Sequence, residues 1–201
     1  MIARLDHLVV TAPTLAEGSA YVADCLGVAP RPGGRHPRMG THNSLLRLGP
    51  AIYLEVIAVD PEGRAEGPRW FLLDEAQEEP PRLATWVARV ADIRSAAPVF
   101  GRVRPMERGA LSWEITLPDQ GGLPLDGIAP TLIQWHAEPH PAAQMPESGC
   151  ALIGLEGFHP RPVAVTALLR TIGFQGPFSV AGGPAGLVAR IRTPKGEAML
   201  S

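Results

Sequence analysis

GTHNSLLRLGPAIYLEVIAVDP, residues 40–61, sets the organisation of the whole chain. Two runs rich in Leu, Ile, Val and Tyr, 41–48 and 51–59, are bounded by Gly and Pro. That is the pattern of a β-hairpin, with Gly49 and Pro50 as the predicted turn. The second run contains one charge, Glu55, between Tyr53-Leu54 and Val56-Ile57. A carboxylate in a half-buried strand is costly unless a partner, a hydrogen bond or a metal compensates it. The matching oddity upstream is His7, a polar ring inside the apolar run RLDHLVV. With the turn at Gly49 and Pro50, Ser44 faces Glu55 and His42 faces Ile57, so His42 shares a side with Tyr53 and Glu55. A slip of one residue puts Asn43 and Arg47 there instead.

The chain of 201 residues can bury a core as one large or two small domains. Its 18 basic and 20 acidic side chains leave no electrostatic footprint for nucleic acid. The N-terminus lacks a signal-peptide layout and no apolar run reaches membrane-spanning length, so no membrane partner is expected. Cys25 and Cys150 read as reduced thiols of a cytoplasmic protein. With 22 Gly and 22 Pro the chain is rich in loops, while a hydrophobic content of 45% argues for a folded protein.

In chain order, 3–10 is a strand, and Thr14 and Glu17 make a capping box for a helix over 15–26 that Gly27 ends. Residues 28–39 form a Pro/Gly loop with Arg31, Arg35, His36 and Arg38. It reads as a mobile solvated loop or, alternatively, as an anion-attracting lid. Residues 60–82 are a polar linker with a short helix begun by Pro68. The order then repeats: strand 83–90, helix 92–100 closed by Gly101, and strands 102–107, 111–117 and 130–136. After a linker over 139–149, a strand at 151–158 and a helix at 162–172 begin a shorter unit. The expected fold is α+β: βαβββ modules over 1–60 and 83–138, with a shortened C-terminal β-α-β-β unit over 150–201. All three belong to one compact domain.

Two such modules, with His7 in the first strand and Glu55 in the fourth, resemble the vicinal oxygen chelate superfamily. That group includes glyoxalase I, extradiol dioxygenases and bleomycin-resistance proteins. The stretch LDHLVV…GGRHPRMGTHNSLLRLG…YLEVIAVDP is similar to the proteins called glyoxalase-like domains. The resemblance implies that the two modules form a curved mixed-sheet cup, each curling into half of it, with metal ligands supplied by the first and fourth strands of both. In the second module Trp86 stands roughly where His7 does, and Gln134 where Glu55 does. An amide oxygen can ligate a cation and an indole cannot, so the four-ligand pattern is broken at Trp86.

Two readings follow. In the first, His7, Glu55 and Gln134 hold zinc, manganese, iron or nickel. Glu55 then moves a proton in lyase, isomerase or dioxygenase chemistry on a small oxygen-bearing molecule. In the second, a metal-free pocket binds an aromatic or anionic compound. His42, Tyr53, Trp86, Trp135 and His136 are the candidate substrate contacts, and the resemblance suggests a homodimer. If His7 and Glu55 face one cavity, Leu8 and Val56 must point to the opposite side of the sheet. The sequence contains no phosphate-binding glycine loop and no nucleophile elbow.

Overall fold

The hairpin forms, with its corner displaced by one residue. In the computed structural model, which describes residues 2–118, 121–136 and 138–201, the turn falls at Pro50 and Ala51. After β1 (Arg4–Thr11), α1 (Leu15–Leu26) and β2 (Arg31–His36), it joins β3 (Thr41–Gly49) to β4 (Ile52–Val59). Proline presets φ for the first corner position of such a turn. Leu48 bulges between the Arg47↔Tyr53 and Gly49↔Ile52 pairs, so Leu45 faces Glu55 and Asn43 faces Ile57. One extra residue in a strand reverses the facing of everything beyond it. Asn43 thereby joins the side of Glu55, and His42 moves to the other.

The second module follows the same order. It comprises β5 (Arg82–Arg89), α2 (Ile93–Ala96), β6 (Arg102–Arg108), β7 (Leu111–Leu117) and β8 (Thr131–Trp135). Its helix shrinks to one α turn and a 3₁₀ turn where Pro98 denies the backbone a donor. The eight strands make one sheet in the order β2-β3-β4-β1-β5-β8-β7-β6, curled into a half-barrel. Each half places its first strand beside its fourth, and β1 and β5 join the halves.

Two features are more ordered than their composition suggests. β2 occupies half of the expected loop as an edge strand, with Gly33 and Gly34 bulging between Pro32 and Arg35. Two arginines of the stretch are matched locally: Arg35 of β2 pairs with Asp60 and Glu62, and Arg38 in the 3₁₀ turn after it with Glu66. The 60–81 connection carries two 3₁₀ turns, Trp70–Leu72 and Ala76–Glu78, rather than one helix. Part of the turn-rich stretch after β7, Asp119 and Gln120, lies outside the described residues.

The sheet separates two cores. On its convex side Leu8, Leu54, Val56, Trp86 and Leu132 pack with α1 and the C-terminal unit. Inside the curl lie Val9, Ile57, Val87, Trp113, Ile115 and Ile133. Leu8 and Val56 thus take the side opposite His7 and Glu55, as strand alternation requires.

A connection bearing the single-turn α3 (Pro141–Gln144) leads to β9 (Ala151–His159), α4 (Pro162–Thr171), β10 (Phe178–Gly182), β11 (Gly186–Thr193) and β12 (Gly196–Leu200). These strands form a separate sheet, β10-β9-β11-β12. Its element order matches the modules, but β9 lies inside the sheet between β10 and β11. Cys25 and Cys150 are free thiols. Among the described residues no helix is long and apolar enough to cross a membrane.

Candidate functional site

A further bulge, in β1, builds the floor of the cup. The β1–β5 register slips between Leu5↔Ala88 and His7↔Val87, leaving Asp6 as the extra residue. Leu5 therefore joins Leu8 in the convex core, while Asp6 and His7, though consecutive, meet inside the curl. The Asp6 carboxylate is fully buried. Its Oδ1 accepts from His7 Nδ1 at 2.8 Å, and its Oδ2 accepts from His140 Nε2 at 2.9 Å and Trp135 Nε1 at 3.1 Å. The Arg89 guanidinium lies 3.7 Å away. Burial pushes this carboxyl up, but the hydrogen bonds from His140 and His7 outweigh it and hold Asp6 well below the usual carboxylate range.

An anionic Asp6 fixes the proton of His7 on Nδ1 and leaves Nε2 as the open nitrogen. That nitrogen is 3.5 Å from Glu55 Oε2. Glu55 Oε1 accepts from Asn43 Nδ2 at 2.6 Å. The Asn43 amide is oriented by its own oxygen, which accepts from Gly34 N at 2.8 Å and Arg108 at 3.4 Å. The hydrogen-bond partner that a buried Glu55 demanded is therefore Asn43, while His7 Nε2 stands against the other carboxylate oxygen. The His7 ring stacks on Tyr53, with centroids 4.5 Å apart. Burial, and then the charges of Asp6 and Glu55, push the Tyr53 hydroxyl well above its usual range, so it remains protonated.

Arg108, at the end of β6, ties the second module to this site. It donates to His36 Nε2 at 3.1 Å, while His36 Nδ1 donates to Thr41 Oγ1 at 3.0 Å. Burial lowers the His36 imidazole from 6.5 to about 4; Glu55 pulls it up and Arg108 pushes it down. Between those values the unfolded chain binds a proton at His36 that the folded chain refuses. Stability is therefore complete above pH 6.5 and falls as the pH drops toward 4. At roughly 1.4 kcal/mol per pKa unit, the loss from this group is about 3 kcal/mol. Urea unfolding at pH 7 and pH 4 should show it, and His36→Gln should remove that part of the dependence. An equally steep variant would contradict the assignment.

Of the residues expected at the site, His7, Glu55, Tyr53 and Trp135 line one cavity. The other four do not. Trp86 points to the convex core, where its Nε1 donates to Ile128 O at 2.9 Å. The residue opposite His7 on β5 is Val87. Gln134 alternates away from Ile133 and Trp135, and its amide oxygen accepts from Ile93 N at 2.9 Å at the start of α2. His136, exposed, lies 3.4 Å from Glu114 outside the curl. His42 shares the convex side with Leu46, a consequence of the Leu48 bulge.

Asp6, His36, Asn43, Arg108 and His140 were not among the expected site residues. Asn43 carried a signal, the alternative register of the hairpin; the others carried none beyond their polarity.

The donor set does not fit the four-ligand metal centre implied by the resemblance. His7 and Glu55 converge, but the positions facing them from the second module are Val87 and Ile133, which have no donor atoms. Arg108, one amide away from Glu55, is a fixed cation beside the carboxylate a metal would need. Among the described residues no cluster of three or more His, Cys, Asp or Glu is arranged to hold a metal ion.

The cavity measures about 30 Å³. Trp70 and Phe71 from the 60–81 connection and Pro141 and Met145 from the α3 connection complete its lining. A space of that size takes a water or two, so a larger ligand must displace lining side chains.

A family profile described as a glyoxalase-like domain matches residues 5–173. A search of curated proteins gave no match. Among solved structures, a hypothetical protein from Staphylococcus aureus is similar over 92% of this chain and 88% of its own, with a TM-score of 0.65 and 14% identity. Streptomyces coelicolor methylmalonyl-CoA epimerase is similar over 67% of this chain and 98% of its own, at 16% identity and a TM-score of 0.47. The Mycobacterium tuberculosis methylmalonyl-CoA epimerase is similar over 69% of this chain and 91% of its own, at 18% identity and a TM-score of 0.44. At such identities the likeness is one of fold.

Proposed function

Because the chain belongs to the glyoxalase-like domain family, we propose that it moves a proton on a small carbonyl compound, with Glu55 as the base. The observation that supports this reading is the line of contacts Asp6–His7–Glu55–Asn43 inside the cup. Asn43 occupies one oxygen of Glu55, leaving Oε2 as the reactive one. Oε2 takes a proton from the carbon next to the substrate carbonyl. The C–H pair becomes a C=C bond and the carbonyl π pair moves onto oxygen. The proton on Oε2 is then shared with His7 Nε2, and an imidazolium there lies between two carboxylates that stabilise it. Return of the proton to the other face gives isomerisation, and so does return to the neighbouring carbon where the deprotonated carbon bears a hydroxyl whose proton passes to the oxyanion. Loss of a leaving group from a carbon next to the deprotonated one gives a lyase. Arg108 supplies positive charge for the developing oxyanion. No divalent ion takes part in this reading, and chelator treatment is expected to leave the reaction unchanged.

Proton NMR in deuterium oxide with enolisable 2-oxo acids, pyruvate first, tests the proposal. Wild-type protein is expected to exchange the C–H protons of at least one compound, and Glu55→Gln to slow that exchange by about a hundredfold or more. Exchange as fast in Glu55→Gln as in wild type would remove Glu55 as the base. The aromatic lining from Tyr53, Trp70, Phe71, Trp113 and Trp135 favours a second reading, a pocket that binds without reacting. Ligand binding without exchange in wild type would select it.

A further inference from the structure

We propose that the indole N–H of Trp70 is a substrate-binding donor and that it takes the sp² oxygen of a carbonyl or carboxylate. The inference rests on the reading of the cavity as a small-molecule site. Trp70 is 3% exposed, and among the described residues its Nε1 is a buried side-chain nitrogen with no hydrogen-bond partner. Such orphaned donors are rare, because burying one unpaired is unfavourable. Trp86 and Trp135 show that this fold supplies acceptors to other indoles: Ile128 O for one, Asp6 for the other.

The chain also takes up a disfavoured backbone to put this indole in place. Phe71 and Leu72, with φ of 59° and 55°, are consecutive non-glycine residues in the left-handed region. Strain of this kind persists only where the surroundings impose it, and it clusters at ligand clamps. Here Leu72 N donates to Gly121 O at 3.1 Å and Leu73 N donates to Trp70 O at 3.2 Å.

The surroundings of the indole define the ligand. Trp70 meets the His36 ring edge-on at 5.0 Å, and the same ring receives Arg108. An N–H and a guanidinium flanking one imidazole both seek an oxygen, and the guanidinium favours one that carries negative charge. A cation has no place there. Trp70 also borders a narrow space of about 10 Å³ between Met39 and Met106. Beyond it, a surface pocket of about 200 Å³ shares Met39 and Met106. The indole thus borders both the inner cavity and the narrow space beside that pocket.

The test follows the four tryptophan indole N–H signals of ¹⁵N-labelled full-length protein, with Trp70→Phe assigning the one that disappears. Pyruvate, acetate and acetone are the probes, separating carbonyl plus carboxylate, carboxylate alone and carbonyl alone. Pyruvate is expected to move the Trp70 signal downfield. Trp70→Phe is expected to weaken pyruvate binding about five- to tenfold while leaving the unfolding midpoint of the free protein unchanged or raised. A Trp70 signal that stays in place as pyruvate binds overturns the inference, as does equal affinity in Trp70→Phe. If Glu55-dependent exchange persists in that case, the proton-transfer reading survives alone. A Trp70 response without exchange leaves the donor site standing and removes the chemistry. Absence of both in wild-type protein removes both.

Discussion

Replacing Asp6 by alanine is expected to lower the unfolding free energy by about 3–5 kcal/mol, the range for breaking a buried ionic network from one side. Three donors, on His7, His140 and Trp135, lose their carboxylate acceptor at once, at a fully buried position. Against a total stability of roughly 5–15 kcal/mol for an ordinary domain, that is a large fraction. Asp6→Asn should fall between wild type and alanine: it keeps the volume, but one carboxylate oxygen becomes a donor facing another donor. It should also release the His7 tautomer, so proton exchange should drop even with Glu55 intact. Urea denaturation of the three proteins checks the order. A loss under 1 kcal/mol for Asp6→Ala would mean that His7 and His140 do not depend on this carboxylate.

Trp86→Ala is expected to destabilise by about 3–5 kcal/mol, through lost burial and the cavity left behind. The indole is fully buried. It stacks on Phe178 at 4.9 Å and meets the Phe174 ring at 5.0 Å, so it is one of the contacts that fasten the C-terminal unit to the back of the cup. The loss should therefore appear as faster proteolysis within 145–150, as well as a lower thermal midpoint. A histidine at this position would face the same two phenylalanines and not His7. If Trp86→Ala leaves the midpoint and the cleavage rate at wild-type values, the C-terminal unit is held by other contacts.

The fold was legible because its signals are local. Thr14 caps the first helix, its hydroxyl accepting from Glu17 N at 3.2 Å, and Gly27 ends the helix in the left-handed conformation. His7 and Glu55 stood out because a polar group in an apolar run is anomalous wherever the chain goes. The rest of the site depends on pairings that leave no periodic trace. Arg108 reaches His36 across 72 positions, and His140 and Trp70 arrive from irregular connections. The facing of Trp86 and Gln134 was misjudged because counting along a strand gives a position but not a side. Neither bulge has a residue type that announces it.

The bulges at Asp6 and Leu48 also govern how this chain can be compared with its relatives. Each acts as a frameshift in three dimensions: the amino-acid order is unbroken, yet inside and outside exchange meaning on passing it. Two sequences can therefore match column for column across β1 or β3 and still present different chemistry to the cup, if only one of them carries the extra residue. The safe unit of transfer is the cross-strand pair. His7 with Val87, and Leu45 with Glu55, are the coordinates against which a relative's ligands should be placed.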